Sequence, residues 1–355
     1  MPTNDRFLRA CHRQPVDVIP VWFMRQAGRT LPEYRAIKER HSLLEITRQP
    51  ELCAQVTLQP VRRLGVDAAI LYADIMSPLA AVGVDLQIVE GKGPVIAHPV
   101  HSDADVARIR PLDADADMPY LAETIRLVRA ELDATGTPLI GFAGAPFTLA
   151  SYLIEGKATK DFRRTRAMMR DFPQRWHALM DRLATVVIGY ARAQISAGIQ
   201  AFQLFDSWIG NVTPEEYALW IQPHVARIFH ELTNLPGQRV PLIHFGTDTT
   251  LLLEAMAAAG GDVIGLDWRV PLDEGWRRVG GPRRVAIQGN LDPALLLEPW
   301  ESVRAGAEDV LRRAEGRPGH IFNLGHGLLP NTPVETIERL VAYVHAYRRE
   351  EAGTL

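Results

Sequence analysis

Short, largely apolar runs alternate along this chain with longer segments of helical periodicity. Eight runs have strand length: IPVWFM (19–24), DAAILY (67–72), PLIGFA (138–143), IQAFQLF (199–205), PLIHF (241–245), DVIGL (262–266), RVAIQG (284–289) and HIFNL (320–324). They are apolar on both faces rather than alternating, the pattern of parallel strands covered by helices. Eight such units predict an α/β fold, a single-domain (β/α)8 TIM barrel over residues 1–355. After the second run, VDLQIVEGKGPVIAHPV predicts an inserted β-hairpin turning at Gly91-Lys92-Gly93.

Helix starts fit this frame. Thr213-Pro214-Glu215-Glu216 and Thr332-Pro333-Val334-Glu335 each place a hydroxyl cap, a first-turn proline and a returning glutamate in order, and Ser42-Leu43-Leu44-Glu45 is a third capping box. No linker, low-complexity tract or further repeat breaks the chain.

Composition narrows the function classes. Lys plus Arg (39) nearly balances Asp plus Glu (42), so no global field favours nucleic acid or a membrane, and any anion site is local. The two cysteines, Cys11 and Cys53, form no CxxC pair, which argues against a disulfide framework or structural zinc. The N-terminal sequence has no signal-peptide run and no stretch reaches membrane-helix length, so a cytoplasmic protein is expected.

In such a barrel the chemistry sits where strands end at their C-terminal side. The residues there are polar: Arg25, Gln26, Gly28 and Arg29 after the first run, Asp74 after the second, Asp206 and Ser207 after the fourth, His326 between two glycines after the eighth. Arg25 and Arg29 in one Gly-containing loop concentrate forked donors suited to carboxylate or phosphate; the plainer alternative is two solvated loop arginines. Asp74 would face the mouth and stabilise a developing cation, or else cap the turn that Ser77-Pro78 continues. His326 offers an imidazole to an anion, or is merely structural. Ser207 and Tyr152 are carboxylate donors, or buried hydroxyls satisfied by backbone. Phe142, Phe147, Phe205 and Trp208 would floor an apolar cavity or simply pack the core. No GxxxxGK[ST], GxSxG, HExxH or cysteine cluster occurs, which lowers the weight of metal and covalent catalysis. The residues by themselves stop at a barrel enzyme whose mouth binds a polyanionic, partly apolar small molecule.

The motifs WFMRQAGRTLPEYR (22–35), LYADIMSP (71–78), GFAGAPFTLASYLIEG (141–156), FDSWIGN (205–211) and FNLGHGLLP (322–330) resemble the uroporphyrinogen decarboxylase family over essentially the whole chain. The resemblance implies cofactor-independent removal of four acetate carboxyls of uroporphyrinogen III, as CO2, to give coproporphyrinogen III in haem biosynthesis, by a homodimer without metal, nucleic acid or membrane partner. It implies substrate contacts from Arg25, Gln26, Ala27, Gly28 and Arg29, from Tyr152, Ser207 and His326, and from Asp74 beneath the macrocycle, with Asp74 and Arg25 catalytic. Thr30 and Ile209 depart from the family's common tyrosine and alanine. Two rivals stand beside this reading: a related zinc-dependent methyltransferase, which would need His and Cys ligands at strand ends, and a non-catalytic porphyrin carrier, which would not need Asp74.

Overall fold

A computed structural model of the protein describes residues 4–89, 93–237 and 239–347. Among these, nine strands form: β1 (Ala69–Ile70), β2 (Leu86–Val89), β3 (Gly93–Ile96), β4 (Leu139–Gly144), β5 (Ala201–Asp206), β6 (Leu242–Gly246), β7 (Val263–Gly265), β8 (Ala286–Gln288) and β9 (His320–Ile321). Seven of them make one parallel sheet in the order β1-β4-β5-β6-β7-β8-β9, so each helical crossover delivers the next neighbour. Every side chain of β4, β6, β7 and β8 is buried, as the two-sided apolar runs demand. Helices cover the outside, the longest being Pro173–Ala197, which starts at a proline and stops at Gly198 in the left-handed region (φ 114°).

The first apolar run differs from expectation: residues 19–24 make a single parallel bridge, Val21 to Phe322, and no regular strand. Pro20 has no N–H to give, and the Val21 N–H is taken at 2.7 Å by the Asp67 carboxylate instead of by a backbone carbonyl. The segment is nonetheless held on both sides. Phe322 N–H donates to the Pro20 carbonyl at 2.9 Å, and Asp67 N–H donates to the Val21 carbonyl at 2.7 Å, next to β1. Asp67 itself is buried and also takes Arg6 at 3.2 Å and His345 Nε2 at 2.7 Å, tying the first and last described helices to this junction.

Interior side chains cross the sheet's concave side. Trp22 Nε1–H donates to Gln288 Oε1 at 3.0 Å, and Gln288 Nε2–H donates to Gln203 Oε1 at 3.1 Å, linking the first segment through β8 to β5. Phe205 meets Phe142 and Phe245 edge-on, with centroids 5.4 and 5.9 Å apart. Phe205 is half-buried, so this aromatic layer reaches the mouth.

Ser42 and Thr213 make their capping boxes with Glu45 and Glu216. Thr332 does not: the helix starts one residue later, at Val334, with Pro333 in the cap position, and the Thr332 hydroxyl is buried without a partner. β2 and β3 pair antiparallel from Leu86↔Ile96 to Val89↔Gly93, while residues 90–92 of the expected turn lie outside the described residues. Among the described residues no helix is long and apolar enough to cross a membrane.

Candidate active site

The loop after the first apolar run is fastened before it presents anything. Phe23 N–H donates to Gln26 Oε1 at 2.9 Å and Gln26 Nε2–H donates to the Ala68 carbonyl at 2.8 Å. Gln26 is therefore turned inward, fully buried, with both ends of its amide engaged; the expected substrate contact is not one its side chain is free to make. Leu328 N–H donates to the Met24 carbonyl at 2.9 Å, which locks this loop to the one after β9.

Between these anchors Arg25 adopts φ 64°, a left-handed conformation that costs a non-glycine residue about 1 kcal/mol or more. Its stem lies against Gly327, where any Cβ would overlap Arg25 Cδ. Gly28 (φ 93°) lets the loop pass over the Tyr72 ring, 2.6 Å from where a Cβ would sit, and Tyr72 and Tyr34 share a hydroxyl hydrogen bond of 3.0 Å beneath it. Ala27, Gly28 and Arg29 are half-buried.

Arg25 is open to solvent yet crowded by protein, as at the floor of a cleft. Burial first, then Arg29, draws its pKa down to about 10; burial also lowers Arg29. Among the described residues neither arginine has an ion-pair partner within 4 Å. Both remain cations at neutral pH, held close with no counter-charge in contact among the described residues.

Asp74 makes the turn-capping bonds and keeps one carboxylate oxygen free of them. Oδ1 accepts Met76 N–H at 2.8 Å and Ser77 Oγ accepts Asp74 N–H at 3.1 Å, the turn-capping arrangement that starts helix Ser77–Ala81. Oδ2 has no bond among the described residues. Burial raises the Asp74 pKa, and the Met76 N–H and Arg25 pull it back. Arg25 and Asp74 thus feel one another without forming a salt bridge.

Tyr152, on helix Pro146–Glu155, is in the field of both Asp74 and Arg25, and burial raises its pKa. Trp208 stands edge-on to it, centroids 5.9 Å apart, with Phe162 on the other side at 5.1 Å. Ser207 is half-buried at the end of β5, its carbonyl accepting Thr247 Oγ1–H at 2.6 Å. Phe147 takes no part in a floor, since it packs outward on Trp176.

His326 completes the ring of groups in a form the sequence did not disclose. Burial, then Arg25, Arg29 and Arg269, hold its pKa at about 4, so it is neutral at pH 7. Its Nδ1 accepts Gly327 N–H at 2.7 Å, which leaves the proton on Nε2 as an outward donor.

Arg269 was not singled out from the sequence, where it reads as one more loop residue two places past Asp267. It ion-pairs with Asp248 at 2.8 Å and Asp267 at 3.2 Å, and lies 3.9 Å from the Trp268 ring centre. Only the register of β7 against its neighbours brings it near His326. Among the described residues no three His, Cys, Asp or Glu side chains gather as a metal-holding set; Cys53 is buried, donates to the Tyr72 carbonyl, and is pushed up to about 12.

A cationic rim, one free carboxylate oxygen and an apolar floor therefore converge where the parallel strands end. Against known proteins, residues 2–347 match the family model described as uroporphyrinogen decarboxylase. The chain is 52% identical over 346 residues to a protein of Sorangium cellulosum named uroporphyrinogen decarboxylase, covering 98% of this chain and 97% of that one. It is 53% identical to the protein of that name from Salinispora tropica, covering 97% and 91%. Among solved structures, a methyltransferase from Methanosarcina mazei superposes with a TM-score of 0.79 at 21% identity, covering 96% and 97%, a likeness of fold. On these matches the chain belongs to the uroporphyrinogen decarboxylase family.

Proposed function

We propose that this protein converts uroporphyrinogen III to coproporphyrinogen III by removing its four acetate carboxyls as CO2, without a cofactor. The observation that carries the reading is the gathering of Arg29, His326 and Asp74 about Arg25, with Oδ2 of Asp74 unpartnered among the described residues. The reduced macrocycle has eight carboxylates at its edge and pyrrole N–H groups at its centre. The arginines and the His326 Nε2–H donate to carboxylates, with Tyr152, Ser207 and the loop of Ala27 and Gly28 as further contacts. Asp74 accepts the pyrrole N–H groups at Oδ2, and the aromatic layer of Phe142, Phe205 and Phe245 lies under the ring system.

Protonation of a pyrrole α-carbon makes the ring cationic. The electrons of the acetate C–C bond then flow into the ring as CO2 leaves, and protonation of the resulting methylene with loss of the α-proton gives a methyl group. Asp74 stabilises the cation while it lasts, which is where a fixed charge contributes most. Arg25 orients the carboxylate that departs.

In this reading residues 1–355 form one domain whose segment 20–22, bonded to both β9 and the approach to β1, completes an eight-stranded barrel, with β2 and β3 as its inserted hairpin. The working form is a cytosolic homodimer.

Anaerobic incubation of purified protein with enzymatically generated uroporphyrinogen, followed by oxidation and chromatography by carboxyl number, tests the proposal. Stepwise appearance of porphyrins with seven, six, five and four carboxyls is the expected result. Unchanged eight-carboxyl material from folded, tetrapyrrole-binding protein overturns it in favour of a carrier.

A further inference from the structure

One buried acid lies just behind this site and has no part in the chemistry above. Asp206 ends β5, immediately before Ser207, and is completely buried. Its Oδ1 accepts Thr148 Oγ1–H at 2.7 Å, and the same Thr148 oxygen accepts Trp208 N–H at 3.2 Å. Its Oδ2 is buried without a hydrogen-bond partner among the described residues. Thr148 is fully buried on helix Pro146–Glu155, one turn before Tyr152 and on the same face, and the Trp208 ring packs on Tyr152. A single chain of two hydrogen bonds therefore fixes the strand end that presents Ser207 against the helix face that presents Tyr152.

We propose that Asp206, acting through Thr148, is a positioning residue that sets the register of Ser207 and Tyr152 against each other for substrate binding. The proposal rests on the decarboxylase reading of this site. A hydroxyl and a phenol held on different elements bind one substrate well only when their spacing is fixed to a fraction of an ångström, and a misplacement of about 1 Å can cost roughly a hundredfold in rate. An apolar residue at Asp206 would leave Thr148 and Trp208 free to shift. A neutral acid serves the link best, because an unpaired anion in this interior carries a heavy desolvation cost. Burial pushes the Asp206 pKa up to about 7, with Thr148 pulling the other way. Among the described residues the titratable group that senses it is Tyr217, on helix Pro214–Trp220, whose own hydroxyl is buried without a partner.

Four variants of the full-length protein test the link: Asp206→Ala and Thr148→Val break it, while Asp206→Asn and Thr148→Ser preserve it. Folding is checked by near-UV circular dichroism, and kcat and KM are taken from the chromatographic assay across pH 6–8.5. We expect the two breaking variants to raise KM roughly ten- to a hundredfold, with kcat changed less, and the two conservative variants to stay within about threefold of the parent. The parent is expected to lose kcat/KM on the alkaline side as Asp206 ionises near pH 7, and Asp206→Asn should lack that decline. If folded Asp206→Ala and Thr148→Val keep parental kcat and KM, or if the conservative variants are as impaired as the breaking ones, Asp206 has no such role. Absence of product from the parent itself would instead refute the decarboxylase reading, so the two failures are distinct.

Discussion

Arginines on the outer helices and arginines at the mouth of the sheet live under opposite conditions. Outside, Arg62, Arg126, Arg192, Arg277 and Arg312 each face a carboxylate within 3 Å, and each is about half or more exposed. At the mouth, Arg25 and Arg29 are crowded together with no acid in contact among the described residues, and Asp74, which could pair with Arg25, is kept apart by its own turn. Surface pairs are screened by water and contribute little to stability. The mouth instead stores an unsatisfied attraction, and an anionic ligand can use all of it.

The hardest test of this contrast is Asp74→Asn, which keeps shape and the Met76 contact while removing the free charge. Turnover should fall by roughly 10² to 10⁴ with little change in KM, read from initial rates of seven-carboxyl product formation. Retention of full activity would mean that the charge is not used. Next comes Arg29→Ala, expected to raise KM roughly ten- to a hundredfold while leaving kcat nearly intact; equal kcat losses in the two variants would erase the division between binding rim and reacting floor.

A pH experiment sharpens the comparison from another side. His326 is held at about 4 partly by Arg25 and Arg29, so in Arg29→Ala its NMR titration midpoint should rise toward the ordinary value of 6.5; an unmoved midpoint would mean that Arg29 contributes nothing to it. His244 and His320, buried away from the arginines, should keep their midpoints near 4 in that variant. All three have folded pKa values below the unfolded one. The unfolded chain therefore takes up protons that the folded chain refuses between about pH 6.5 and pH 4, and stability measured by denaturant titration should fall as pH drops through that window. The smallest effect belongs to the outer surface: Arg126→Ala, which breaks the exposed pair with Glu123, should leave both the denaturation midpoint and the kinetics essentially unchanged.

The parallel sheet was legible in the sequence because fully buried strands must be apolar on both faces, and seven of the eight apolar runs became its members. The eighth, residues 19–24, looked the same but lost its ladder to Pro20 and to the Asp67 side chain, a substitution that depends on a residue 46 positions away. Among the candidate site residues, Arg25, Arg29, Asp74, Tyr152 and His326 could be proposed because each follows an apolar run of strand length. Gln26 could not be sorted from them, since adjacency in a loop says nothing of which side chain turns inward. The neutral state of His326 and the approach of Arg269 escaped for a related reason: both arise from charges on separate loops that only the folded register of the strands brings within range.

Asp67 also carries a consequence for how the chain is made. Its one carboxylate needs Arg6, the Val21 N–H and His345, so a junction begun by Arg6 is finished only by the last described helix. During synthesis the buried face of segment 20–22 must wait for some three hundred further residues, at roughly 5–20 per second, before Phe322 and His345 arrive to cover it. A nascent chain of this kind stays adhesive for tens of seconds, and its demand on chaperones is set by the distance between two ends that meet.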